Sequence, residues 1–249
     1  MTDIDDTLTR DGAIEPEALA ALGALHAAGV PVFAITGRPA GWSEPFARDW
    51  PVAAIVAENG AVALAARPGG GLDIRFAQDE PTRRDNAHRL QAVAQQVLRE
   101  VPGATLARDS PGRITDIAVD HAEFARLDAD GIARTVALMR AAGMTATVSS
   151  IHINGWFGSH SKWSGACWIV QQQLGRSLAA EVNRWAYVGD STNDQEMFGR
   201  FAHSVGVANL MQFAPQLTQW PAWITRGERG AGFNEVARAL LAARQARAG

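Results

Sequence analysis

The 249-residue chain carries a single cysteine, Cys167. An internal disulfide is therefore excluded, as is a thiolate cluster for zinc. The cysteine sits in an apolar run, Ala166-Cys167-Trp168-Ile169-Val170, which marks it as an inert buried thiol and not a nucleophile. Charge of one sign is also missing. With 23 basic residues against 26 acidic and a net charge of −3, no basic field points to nucleic acid. No stretch approaches the ~20 consecutive apolar residues of a membrane span. The N-terminus turns acidic at once, without the basic and apolar regions of a secretory leader. No G-x-G-x-x-G follows the first strand candidate, where dinucleotide binding needs it. Hydrophobic residues make up 47% and charged ones 20%, which excludes wholesale disorder. These absences leave a soluble, cytoplasmic, globular protein, long enough to bury a large core.

What is present reads as strands alternating with helices. Glu15-Pro16-Glu17 opens a helix with a leucine stripe, Leu19, Leu22 and Leu25, that Gly29 closes. A short apolar strand, Val30–Ile35, ends on Thr36-Gly37-Arg38, and another, Ala53–Ala57, ends on Glu58-Asn59-Gly60. Short apolar strands separated by helices signify a parallel sheet covered on both faces. Ala61–Ala66 and Leu72–Ala77 form a hairpin around Pro68-Gly69-Gly70-Gly71. From there helix-strand-strand occurs twice: Thr82–Val101 with Ala104–Ala107 and Ile114–Val119, then Asp128–Ala142 with Thr145–Val148 and Ile151–Phe157. The alternating pattern resumes with a helix from Lys162 to Leu174 and a strand, Trp185–Val188, that runs into Gly189-Asp190-Ser191-Thr192-Asn193-Asp194. Short strands at His203–Ala208 and Ala222–Thr225 and a helix over Gly232–Arg244 end the chain, with Arg238, Arg244 and Arg247 as a solvated face. The expected architecture is an α/β fold, a doubly wound parallel sheet with an inserted α+β domain. Residues 1–79 and 156–249 form its core and residues 80–155 the insert.

The opening residues, Met1-Thr2-Asp3-Ile4-Asp5-Asp6-Thr7, organise the rest. With Ile4 buried in an extended segment, strand alternation places Asp3 and Asp5 together on the side away from it. They emerge at the carboxyl end of a strand, where open α/β sheets bind ligands. Two adjacent carboxylates call for a cation, or for one of them to be protonated. Thr36 and Gly37, Lys162, and the Asp190–Asp194 run fall at other strand or helix ends on the same rim. Together they offer carboxylates, a hydroxyl with backbone amides, and an ammonium. Such a set suits a phosphoryl group.

In these four motifs the chain resembles the haloacid-dehalogenase-like superfamily, whose pattern is D-x-D-x-T, a strand-end Ser/Thr, a Lys, and G-D-x-x-x-D. The insert between the second and third motifs resembles the type-two cap in its helix-strand-strand repeat form, and Glu58-Asn59-Gly60 resembles that class as well. The resemblance implies a phosphatase of sugar phosphates and related small phosphoesters, such as trehalose-, sucrose- or mannosylglycerate-phosphate. It implies Asp3 as the nucleophile forming an aspartyl-phosphate and Asp5 as the general acid and base. Thr36 and the Gly37 amide are then phosphate holders, and Lys162 pairs with phosphate and Asp3. Mg²⁺ is expected on Asp3, the Asp5 carbonyl and Asp190, with Asp194 as a ligand or just behind the ligands, and Asn193 beside them. The rival readings on the same scaffold are a phosphotransferase or mutase and a non-catalytic relative. Oligomeric state is not readable, and no nucleic acid or membrane partner is expected.

Two departures from the pattern stand out. Asp6 stands where many relatives have Gly, and Asp tolerates tight turns. Only Met1 and Thr2 precede the first Asp, too few for a full central strand, so the sequence reads as starting late and neighbouring strands as partly unpaired. Four further residues are candidates for substrate selectivity. Asn59 belongs to the motif before the insert, and Arg113 lies in a cap turn, Asp109–Arg113, that could face an anionic group. His152 and Trp156 lie where the insert returns to the core, suited to a sugar ring and its hydroxyls. His26, His88, His121 and His203 have no ligand spacing, and the eight tryptophans are scattered as packing residues.

Overall fold

Two residues do the work of a whole central strand. In the computed structural model, which describes residues 1–248, Thr2 forms parallel bridges to Ala34 on one side and Val188 on the other. The Thr2 N–H donates to the Phe33 carbonyl at 3.0 Å, the Asp3 N–H donates to Val188 at 2.8 Å, and the Thr2 and Met1 carbonyls accept from Ile35 and Val188. The flanking strands are thus paired at this point, against the expectation that they would be left partly open. The strand geometry does not extend to Ile4. Its carbonyl accepts from Leu8 at 2.8 Å and from Thr7 and Thr9 at 3.2 Å, which curls the chain into a turn. Asp3 and Asp5 therefore converge through that turn and not through strand alternation, a correction to the sequence reading.

The elements in chain order are β1 (Thr9–Arg10), β2 (Ala13–Ile14), α1 (Pro16–Ala27), β3 (Phe33–Ile35), α2 (Ala40–Asp49), β4 (Ala54–Ala57), β5 (Val62–Ala66) and β6 (Leu72–Phe76). They are followed by α3 (Glu80–Glu100), β7 (Thr105–Leu106), β8 (Asp116–Asp120), α4 (Ala129–Ala141), β9 (Thr145–Val148) and β10 (His152–Trp156). The last group is α5 (Lys162–Leu174), β11 (Ala186–Gly189), α6 (Gln195–Arg200), β12 (His203–Gly206), β13 (Trp223–Ile224) and α7 (Arg229–Ala248). The side chain of Arg247 lies outside the described part. Through Thr2 the main sheet runs β13-β12-β11-Thr2-β3-β4-β5-β6. It is parallel from β13 to β4, with the β5–β6 hairpin antiparallel at the edge.

Alternation along the strands builds a core on each face. Ala34, Ile55 and Ala57 pack with Leu22 and Leu25 of α1 and Phe233 and Val236 of α7. Phe33, Ile35, Ala54 and Val56 pack with Ile169 and Val170 of α5 and Met197 and Phe198 of α6. The inserted layer is a four-stranded antiparallel sheet, β7-β8-β10-β9. Its residues Val119, Ile153 and Ala146 pack beneath α3 and α4 with Leu90, Val97 and Met139. In register, Asp116 and Asp120, Trp156, Asn154 and His152, and Thr145 and Thr147 share the opposite face, which turns to the main sheet. This insert is a cap lying over the rim where the motif residues sit. No described helix is long and apolar enough to cross a membrane.

Candidate active site

Lys162 opens α5 and is delivered by the local sequence. Ser161 caps the helix, accepting from the Ser164 N–H while Ser164 returns a bond to the Ser161 N–H, and Gly175 at φ 64° ends it. The helix start is set against the turn after β4. Gly60, at φ 109°, lies so near that a Cβ there would fall on the Ser161 carbonyl. The buried Lys162 ammonium donates to Asp3 Oδ1 at 2.8 Å and to Asp194 Oδ1 at 2.7 Å. Tyr187, the sole tyrosine, donates to the same Asp194 oxygen, while Asp194 Oδ2 accepts from the amides of Asp190 and Ser191 at 3.0 and 3.2 Å.

Asp3, Asp190 and Asp194 converge so that one carboxylate oxygen of each lies within 4.8 Å of the others. Thr7 donates to Asp190 Oδ1 at 3.3 Å, but Asp190 Oδ2 is buried with no partner among the described residues. Burial, with Asp194 and Asp3 close by, pushes the Asp190 carboxyl well above its usual range. Burial likewise raises Asp3 to about 7, although Lys162 opposes the shift. The Lys162 amine, which burial alone would lower, is held above its ordinary range by Asp194 and Asp3. One ammonium among three buried carboxylates leaves an excess of negative charge. An orphaned carboxylate oxygen in an all-oxygen donor set fits a hard divalent cation.

Across from this cluster, Thr36 follows β3 fully buried, its Oγ1 accepting from the Arg38 N–H at 3.0 Å. Gly37 is hemmed in by the cap and the β4 turn, since a Cβ there would lie 3.3 Å from both Asn154 Oδ1 and Asn59 Oδ1. Asp5 faces Arg38, whose Nε donates to its two oxygens at 2.9 and 3.0 Å. Burial raises the Asp5 carboxyl and Arg38 draws it back down. Asp6 takes the left-handed conformation at φ 53°. It is held there by Arg229, which donates to its carboxylate at 2.8 Å, and by Asn209, which donates to its carbonyl at 2.9 Å.

The cap supplies the ceiling. Arg113 reaches the rim as the turn implied. Its Nη1 and Nη2 are taken by Asp116, Asp109 and the Gly37 carbonyl, so it ties cap to core. Asn154 donates to the same carbonyl at 3.2 Å and to Asp116, and Asn59 lies 3.5 Å from Asp116. His152 pairs with Glu123 at 2.9 Å and lines a cavity of about 10 Å³ together with Asp3, Asp5, Arg38, Asn154 and Asn193, room for no more than a water. Trp156 is buried, stacks on His160 and, with Asn59, Lys162, Asn193 and Thr147, borders a wider cleft of about 400 Å³. All the expected residues are thus gathered at one cap–core junction. Arg38, Glu123, Asn154 and Tyr187 were not singled out from sequence. The alternation that places Asn154 on β10 and Tyr187 on β11 was visible, but the partners of all four were not.

The comparisons agree with this geometry. Residues 1–70 match the family of haloacid dehalogenase-like hydrolases. No curated protein matches the chain in sequence. Among solved structures, a protein of Thermoplasma acidophilum has the same fold with a TM-score of 0.71 at 14% identity, over 96% of this chain and 95% of its own. The sucrose-phosphatase of Synechocystis sp. PCC6803, solved with sucrose and phosphate, is similar at TM-score 0.65 and 15% identity, over 96% and 95%. The C-terminal domain of a trehalose-6-phosphate phosphatase from C. albicans follows at 0.64 and 14%, over 96% and 90%. At such identities the likeness is one of fold.

Proposed function

From the match of its first 70 residues to the haloacid dehalogenase-like hydrolases and from its fold, we propose that the chain is a hydrolase of that kind, a Mg²⁺-dependent phosphomonoesterase acting on a small polar phosphate, first of all a sugar phosphate. The observation that carries the reading is the buried cluster of Asp3, Lys162 and Asp190. It holds a carboxylate nucleophile fixed by an ammonium, beside a carboxylate oxygen that no group among the described residues satisfies. Asp3, Asp190 and the Asp5 carbonyl would hold the cation, which would supply positive charge to the phosphoryl oxygens. Asp194 would stand beside the ion, since its oxygens are already engaged by Lys162, Tyr187 and two backbone amides.

In the first step an Asp3 oxygen forms a bond to phosphorus as the ester bond breaks, and the Asp5 carboxyl gives its proton to the leaving oxygen. In the second, Asp5 takes a proton from water, whose oxygen attacks the aspartyl-phosphate and frees Asp3 and inorganic phosphate. Lys162, Thr36 and the Gly37 amide hold the phosphoryl oxygens through both steps. Polar side chains on the cap ceiling, His152, Asn154 and Thr147, suit a hydroxyl-rich leaving group.

The test is phosphate release from sugar phosphates and small phosphoesters with Mg²⁺ or with EDTA, and Asp3→Asn as the blank. Release that needs the metal and vanishes in the variant is the expected result. Release that persists in Asp3→Asn would sink the covalent mechanism, and free phosphate replaced by a phosphorylated acceptor would identify a phosphotransferase.

A further inference from the structure

Arg38 lies at the meeting point of the catalytic rim and the cap, and its donors are divided between them. Nε spans both oxygens of Asp5 at 2.9 and 3.0 Å. Nη2 donates to Glu123 Oε1 at 2.8 Å, and Nη1 to Asp109 Oδ2 at 3.1 Å and Glu123 Oε2 at 3.3 Å. The side chain is 4% exposed and its guanidinium carbon stands 5.0 Å from the centre of the Trp42 ring. The two cap carboxylates are themselves fixed. Glu123 is bonded by His152, and its amide is one of four that wrap the Asp120 carboxylate. Asp109 is bonded by Arg113, which is locked to Asp116 and to the Gly37 carbonyl. Among the described residues, the Asp5 carboxylate has no other side-chain or backbone partner than Arg38.

We propose that Arg38 is a positioning residue that couples closure of the cap to the acid–base work of Asp5. With the cap down, Asp109 and Glu123 aim the guanidinium and the guanidinium aims Asp5. With the cap raised, the three bonds to the cap are gone, and a long flexible side chain is left holding Asp5 by one shared donor. An acid misplaced by about 1 Å loses on the order of 100-fold in proton transfer, so chemistry waits for closure. The inference rests on the reading of Asp5 as the acid and base. A plain ionic strap between cap and core is the competing account, and it would weaken every substrate alike.

Two esters separate these accounts. An alkyl phosphate needs its leaving oxygen protonated, whereas 4-nitrophenyl phosphate does not, and kcat/KM reports only the steps up to transfer onto Asp3. Arg38→Ala is expected to lower kcat/KM for the alkyl ester by about 100-fold and for the aryl ester by less than about threefold. Arg38→Lys does not restore it, because a point ammonium cannot span three carboxylates. Glu123→Gln, which preserves the shape of the hub and carries the test if Arg38→Ala does not fold, gives the same selective loss. In the Arg38→Ala background it adds nothing further. Equal losses on both esters, or additive effects of the two substitutions, would overturn the proposal while leaving the phosphatase reading intact. Failure of the wild-type protein to release phosphate from either ester with Mg²⁺ would overturn both.

Discussion

Lys162 is the chain's only lysine among 23 basic residues, and the structure gives a reason for the exception. A compact ammonium fits between Asp3 and Asp194, where the flat fork of an arginine would force them apart. Thr7 has an equally small role, orienting Asp190 through one hydrogen bond. Thr7→Val removes that bond without changing shape. It is expected to weaken Mg²⁺ affinity by about 10- to 100-fold, read from the metal dependence of the melting temperature; an unchanged affinity would place Asp190 outside the metal site. Residues whose chemistry is written in short spacing, the acids of the first motif and the Asp190–Asp194 run, were legible in the sequence. Arg38 was not, because what gives it meaning is a pair of acids 71 and 85 residues away.

Among the elements, the helices were the more legible, since their ends are encoded locally: Ser161 and Gly175 bracket α5 at the expected residues. The central strand was misjudged because its pairing comes wholly from neighbours far along the chain, Ala34 and Val188. The return from β10 carries an acid sensitivity. The His160 imidazole is buried, its Nε2 has no partner among the described residues, and burial holds it below its ordinary 6.5, at about 4. Between those values the unfolded chain takes up a proton that the folded chain refuses. Stability therefore falls as pH falls from 6.5 towards 4 and levels off below. His160→Phe is expected to flatten this slope by up to about 3 kcal/mol, measured as urea stability across that range. An equally steep slope in the variant would assign the sensitivity elsewhere.

At the scale of the whole molecule, cap and core meet tightly beside α2, on the side away from the wide cleft at Trp156. Gly41 in α2 faces Gly112 of the cap, and a Cβ on Gly41 would lie 2.9 Å from the Gly112 Cα. Glu58 binds the cap from below, accepting from the Ile114 and Thr115 amides and the Thr115 hydroxyl. Gly41→Ala suits its helix and is expected to leave thermal stability within about 1 kcal/mol. The added methyl wedges the cap, so faster amide exchange over residues 109–116 and a raised KM are expected together. Unchanged exchange there would mean that the contact yields locally. The α/β class and the inserted cap could be read from the order of strands and helices. The degree of closure could not, because it depends on which long-range ion pairs form.

The ties on Asp6 reach to the far end of the chain: Asn209 holds its carbonyl, Arg229 its carboxylate, and Arg229 begins α7. The turn carrying Asp3 and Asp5 is thus completed by residues more than 200 positions later. During synthesis, this turn must wait for residues that are made more than 200 positions later. A nascent chain halted before Arg229 would display both carboxylates yet lack the clasp that shapes them. The clasp would then close only after Arg229 has emerged, and long-range contacts of this kind make for slow final folding.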